Sequence, residues 1–119
     1  MTGKFTKDTV FGAKDHRSYN REGASFDKGE TFSGVPYELG LEAVDELKQL
    51  FGTDNLSAIA IRWVLMHPEV SVVIPGASRA SQIMDNVKAA EMPKLTDEQM
   101  QAVKDIYDRK LKAIIHPQW

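Results

Sequence analysis

The sequence predicts a mainly helical chain with one or few strands. Three observations carry that reading. From Pro36 onward, apolar residues recur at helical spacing in four successive stretches. Only Val70–Ile74 is short, mostly β-branched and bounded by prolines, as a strand buried on both faces should be. The first 35 residues show no sustained periodicity at all. The chain therefore divides into residues 1–35, a long loop, and residues 36–119, a helical part with a strand near 70–74.

The loop holds most of the glycines, and Phe5, Phe11, Tyr19, Phe26 and Phe32 punctuate it singly. So long a structureless segment is usually functional or disordered. The spaced aromatics suggest that it docks; the plainer alternative is a partly disordered leader. Pro36 then suits a first helical position. Leu41, Val44, Leu47 and Phe51 follow at helical spacing, and Gly52 stands where a helix-terminating residue belongs. Ser57 is the expected cap of a second helix running to His67. Its apolar residues from Ala58 to Met66 cover nearly the whole circumference, interrupted by Arg62, so burial on more than one side is expected. His67-Pro68 ends it.

The strand Val70-Ser71-Val72-Val73-Ile74 comes next. One parallel strand cannot satisfy its own backbone groups. Either its neighbours lie outside this sequence, or copies of the chain pair with each other. A third helix is expected after Gly76, with Ser78 as cap, a stripe of Ile83, Val87 and Ala90, and an end at Met92-Pro93. Thr96 and Gln99 form a capping box for a fourth. Met100, Val103, Ile106, Tyr107 and Leu111 make its buried face. The apolar tail from Ile114 to Trp119 should dock on a core or on a partner.

Composition narrows the function classes. The chain has 119 residues, a formal charge of −2 and a pI near 5.9, without the basic footprint of a nucleic-acid binder. It has no Cys, which excludes thiol catalysis and thiolate metal sites. No stretch approaches the roughly 20 apolar residues of a membrane span. Met1-Thr2-Gly3-Lys4 opens no apolar signal segment, so the cytoplasm is the expected compartment. His16, His67 and His116 lack ligand spacing, and no metal site is expected. Asp97-Glu98 sit in a first helical turn, where acids complement the dipole.

One segment carries chemistry: Val72-Val73-Ile74-Pro75-Gly76-Ala77-Ser78-Arg79-Ala80-Ser81-Gln82. A helix N-terminus presents free N–H groups and a partial positive charge, which attract phosphate. Gly76 and Ala77 allow close approach to the backbone, and Ser78 offers a hydroxyl. Arg79 offers a planar guanidinium for phosphate or for stacking on a purine. Gln82 and Asn86 share a helix face, where their amides can read a base edge, and Asp85 can accept from an amine or a ribose hydroxyl. On residue chemistry alone the plainer account stands first. Ser78 then only caps, Arg79 is solvated, and Gln82 and Asn86 are ordinary surface amides.

Ile74-Pro75-Gly76-Ala77-Ser78-Arg79, followed by Gln82, Asp85 and Asn86, closely resembles the nicotinamide-cofactor motif of the aldo-keto reductases. The form is that of their bacterial and potassium-channel-β-subunit-like branches. Leu56–Leu65 resembles the family's helix before the last barrel strand. Thr2-Gly3-Lys4-Phe5 looks like the stretch after the seventh strand, and Asp15-His16-Arg17 like the loop that follows. The resemblance implies the C-terminal part of an incomplete (β/α)8 barrel, the last strand with its flanking helices. Residues 1–35 would then be the loop covering cofactor and substrate.

The resemblance further implies NADP(H) as cofactor and a carbonyl substrate in the full-length protein. Gly76, Ala77, Ser78 and Arg79 would hold the 2′-phosphate end. Gln82, Asp85 and Asn86 would take the adenine and its ribose. Lys4 would reach the pyrophosphate, and Arg17 would lie over the cofactor. A cation and a helix N-terminus facing a dianionic phosphate favour NADP over NAD. No catalytic residue is assigned: the family's catalytic Tyr, Asp, Lys and His come from the first half of the barrel. Tyr37 and Tyr107 are read as packing residues, and Tyr19 as a loop residue. The alternative is a noncatalytic module that oligomerises through its lone strand and apolar tail, or that senses nicotinamide redox state. No nucleic acid or membrane is an expected partner.

Overall fold

A computed structural model describes residues 4–20, 23–25 and 34–118. Phe26, Phe32, Trp119 and the Thr2-Gly3 pair lie outside the described residues. The elements run in the order α1 (His16–Tyr19), α2 (Tyr37–Phe51), α3 (Leu56–Val64), α4 (Ala80–Glu91), α5 (Asp97–Lys110), α6 (Lys112–Ile115) and a 3-10 turn (His116–Gln118).

Helix α2 forms much as its sequence directs. Pro36 is the N-cap, where a missing N–H forfeits nothing. At the other end Gly52 adopts φ 61°, in the left-handed region. Its N–H donates to the Gln49 carbonyl at 3.4 Å, and the Thr53 N–H to the Lys48 carbonyl at 3.2 Å. This pair of bonds is a Schellman closure. Leu41 and Val44 are buried, Leu47 and Phe51 half-buried.

Helix α3 departs from expectation at both ends. Asn55, not Ser57, is the cap, and its side chain accepts from the Ser57 N–H at 3.2 Å. The α-helix stops at Val64. The Leu65 N–H still donates four residues back, to Ile61, but the two after it donate three back, Met66 to Trp63 and His67 to Val64. Pro68 disfavours the α conformation for His67, and a tightened last turn accommodates this. Leu56 alone is fully buried in α3, and most of Ser57–His67 is half-buried. One flank of α3 packs on α4; the all-round cover that its composition asks for is not supplied by the described residues.

The predicted strand is corrected. Val70–Ile74 adopts no strand, and Val72 and Ile74 are 68% and 91% exposed. Among the described residues no backbone N–H or C=O from Ser71 to Ala77 forms a hydrogen bond. A strand is defined by its partners, and none of the described segments supplies one. The stripe foreseen for α4 is corrected too. Ile83 and Val87 are each 55% exposed, Ala90 is also exposed, and the inward face carries Gln82, Asn86 and buried Ala89.

The core joins α2, α5 and α6. Ala43, Ile106, Leu111 and Ile115 are buried together, with Val35, Leu39, Leu47, Leu50 and Tyr107 packed against them. Ile115 of the apolar tail sits in this core, while His116 and Pro117 are exposed and Trp119 lies outside the described residues. Thr96 and Gln99 close the capping box of α5: the Gln99 N–H donates to Thr96 Oγ1 at 3.2 Å, and the Thr96 N–H to Gln99 Oε1 at 2.9 Å.

Candidate functional site

The segment Gly76–Asn86 runs from an extended approach into α4. Gly76 lies outside the left-handed region, so its backbone does not require glycine. A Cβ added there would meet nothing within 4 Å. The space beside it is open. Residues 74–81 are all exposed.

Ser78 does not cap α4. Arg79 is the N-cap, in extended backbone (φ −155°, ψ 153°), with no side-chain cap bond. Instead Gln82 reaches back. Its Oε1 accepts from the Ser78 N–H at 2.7 Å and from the Ser78 hydroxyl at 3.1 Å. A glutamine three residues inside a helix commonly folds back to the chain before it. Here the same oxygen accepts from the serine hydroxyl as well, which turns Ser78 Oγ toward Gln82, and no helix N–H among the described residues donates to it. The signal was present in the sequence as Ser78 and Gln82, four apart, but the site reading set them to separate tasks.

Arg79 is exposed; its carbonyl accepts from the Gln82 N–H at 3.1 Å, and among the described residues its side chain forms no ion pair or hydrogen bond. Asp85 is exposed on the outer side of α4. Gln82 and Asn86 are half-buried on the same face, the one that also carries Ala89. The segment thus sets an uncompensated cation and the positive end of a 12-residue helix beside open space.

Arg17 and Lys4 are placed elsewhere. Asp15 caps α1 by accepting the Arg17 N–H at 3.0 Å, and it binds the Arg17 guanidinium through both carboxylate oxygens. The guanidinium lies 4.6 Å from the Phe11 ring centre and 5.1 Å from that of Phe5. Phe5 meets Phe11 edge-on, and Phe11 meets Tyr37 edge-on, with ring centres 5.3 and 6.2 Å apart. Buried Tyr37 donates its hydroxyl to the Thr6 carbonyl at 3.1 Å. These aromatics anchor the start of the chain on α2. Hydrogen bonds from the Arg17 side chain hold the Asp15 carboxyl far below the usual carboxylate range. The same pairing raises Arg17 above its ordinary value. Lys4 is exposed. Among the described residues no hydrogen bond, ion pair or ring contact links Lys4 or Arg17 to residues 76–86.

Tyr107, read as a packing residue, does pack on the core, and its hydroxyl lies 2.8 Å from His116 Nδ1. Among the described residues no three His, Asp or Glu side chains gather where a metal would sit. No helix among them is long and apolar enough to cross a membrane.

Comparison with known proteins gives the family of the chain. The sequence pattern of the Aldo/keto reductase family matches residues 1–108, and the chain belongs to that family. It is 30% identical over 118 residues to a probable voltage-gated potassium channel subunit beta of Arabidopsis thaliana, covering 94% of this chain and 33% of the relative. It is 27% identical over 121 residues to a protein of the same description from Oryza sativa subsp. japonica, with the same two coverages. A putative voltage-gated potassium channel subunit beta of Schizosaccharomyces pombe is 45% identical over 51 residues, 42% of this chain and 15% of the relative. The chain thus spans about a third of the length of the Arabidopsis and rice relatives. No solved structure is a significant match.

Proposed function

We propose that this chain is the cofactor-binding C-terminal part of an NADP(H)-dependent aldo/keto reductase, and that Gly76–Asn86 holds the adenosine 2′-phosphate end of the dinucleotide. The observation that carries the reading is the free guanidinium of Arg79 at the open start of α4, within a chain of that family. The residues present fit such a ligand. The approach at Gly76 is unobstructed, the cation has no competing carboxylate among the described residues, and two amide side chains lie together one turn further on.

When bound, the nicotinamide supplies the reducing equivalent for a carbonyl substrate. The chain's own part is to bind and orient. Arg79 pairs with the extra phosphate through its fork of donors. The N-terminus of α4 adds its partial positive charge. In this reading Gln82 and Asn86 would take the adenine edge, and Asp85, on the outer side of α4, its amine or the ribose. Lys4 for the pyrophosphate and Arg17 over the cofactor complete the proposed set. Arg17 must then contribute while paired with Asp15, as a charge stacked on Phe5 and Phe11 rather than as a free fork. The acid and base that act on the carbonyl belong to the barrel's first half, so this chain by itself should bind cofactor and turn over nothing. The folded chain is expected in the cytoplasm.

Titration with NADPH and with NADH, followed by the fluorescence of Trp63 and Trp119, tests the site. Arg79→Ala should weaken NADPH about tenfold, the scale of one charge-assisted contact, and NADH less than twofold. Equal losses for both would remove the 2′-phosphate assignment.

A further inference from the structure

We infer that Gln82 is a latch on Ser78 that sets how strongly the site prefers the phosphorylated dinucleotide. This rests on the cofactor reading above and assigns Gln82 a role besides its contact with adenine. Ser78 has two donors to offer a phosphate, its backbone N–H and its hydroxyl. Both are taken by one atom, Gln82 Oε1, at 2.7 and 3.1 Å. A hydroxyl carries a single proton. While that proton points at Gln82, the oxygen turns only lone pairs outward, and these repel a phosphate oxygen. The ligand and the glutamine therefore compete for the same two donors.

The geometry lets the latch open. Ser78 is exposed and Gln82 half-buried, so a released Ser78 is met by water or by ligand. Gln82 holds the serine without closing the space beside Gly76. Arg79, next in the chain, remains free in either state. It can engage a phosphate first, and the phosphate can then draw both Ser78 donors from Gln82. The latch acts against the extra phosphate and not against the rest of the dinucleotide, so it is read in the ratio of NADPH to NADH affinity. Any adenine contact of Gln82 cancels in that ratio.

The test compares wild type, Gln82→Leu and Gln82→Glu. Leucine cannot accept a hydrogen bond. It should raise the NADPH-to-NADH preference about fivefold, the worth of one net hydrogen bond. Glutamate accepts more strongly and adds a negative charge, so it should lower the preference below wild type. In the free chain, exchange of the Ser78 amide should quicken in Gln82→Leu and slow in Gln82→Glu. An unchanged or lowered ratio in Gln82→Leu, with NADPH still bound, overturns the latch and leaves the cofactor reading standing. If wild type and both variants bind neither dinucleotide while Ser78 remains protected in the wild type, the cofactor reading fails and the latch falls with it.

Discussion

Two arginines show how a residue's neighbours decide its task. Arg62 interrupts an apolar helix and looks misplaced in the sequence. In the structure it spans from α3 to the end of α4. Its Nε donates to the Pro93 carbonyl at 3.2 Å and its guanidinium to the Ala90 carbonyl at 3.1 Å. The last carbonyls of a helix lack partners within it, and a cation there also suits the dipole. Arg17 is held just as firmly, by Asp15 on one side and two phenyl rings on the other. Arg79 alone of the three is free among the described residues. Arg62→Ala should destabilise the chain by about 1 kcal/mol, since it removes two solvent-facing hydrogen bonds that join α3 to the end of α4 and the residues after it. Urea unfolding measures this. Arg62→Lys should recover only part, having no fork to reach both acceptors. A neutral result for alanine would mean that water replaces the clamp.

Among the elements, the closures at Gly52 and at Thr96–Gln99 follow the sequence pattern, while the caps of α3 and α4 and the inward face of α4 do not. Pro36, Gly52 and the Thr96–Gln99 pair act through their own backbone geometry, so their roles survive in any surroundings. Gly52 is the sharpest case. Its φ of 61° suits glycine, and the open space around it leaves backbone strain as the main penalty for a side chain. Gly52→Ala should lower stability by about 1 kcal/mol, and Gly52→Asn by less, as asparagine tolerates the left-handed region better. Thermal or urea unfolding of the two variants checks the order. Faces are different, because a face is chosen by what packs on it. The stripe Ile83–Val87–Ala90 has the right spacing, yet α4 turns Gln82, Asn86 and Ala89 inward. Those small and polar residues let α4 lie close to α3, while the apolar stripe faces outward with nothing among the described residues to cover it.

For the whole molecule, charge pairing joins what the core already brings together. Arg109 meets Glu46 at 2.7 Å, and Lys110 meets Glu42 and Glu46 at 3.1 Å each, tying α5 to α2. Hydrogen bonds from Arg109 and Lys110 pull Glu46 below its ordinary value of 4.5. Bonds to Glu42 and Glu46 raise Lys110 above 10.5. A lowered carboxylate stabilises fully above its unfolded value and stops doing so as pH falls through the folded one. A raised ammonium stabilises fully below its unfolded value and stops doing so as pH climbs past the folded one. Both contributions are therefore complete between about 4.5 and 10.5. Glu46→Gln should flatten the part of the acid-side loss below pH 4.5 that belongs to this pair, and added salt should shrink the difference, since the groups are solvent-facing. An unchanged acid limb in a pH series of urea midpoints would remove the pair from the account.

The overall dimensions point the same way as the uncovered faces. The radius of gyration is 15.3 Å, against about 13.5 Å for a compact domain of this length. The excess accompanies the extended Ser71–Ile74, whose backbone makes no hydrogen bond among the described residues, and the outward apolar stripe of α4. Both are surfaces that the sequence marks for burial. The family fold is a (β/α)8 barrel, in which every strand has a neighbour on either edge and the helices lie on the sheet.

Local pattern alone specified the four long helices, the closures at Gly52 and Thr96 and the family, because each is carried by local geometry or by a run of residues that no neighbour needs to complete. Tertiary structure decided the rest. It turned α4 inward on its amides, set Arg62 on the end of another helix, bound Arg17 to Asp15 between two rings, and left Val70–Ile74 without a sheet. The physical reason is common to all four: a hydrogen bond, a ring contact or a strand pairing exists only when the second partner arrives, and the position of that partner is written in no single stretch of chain.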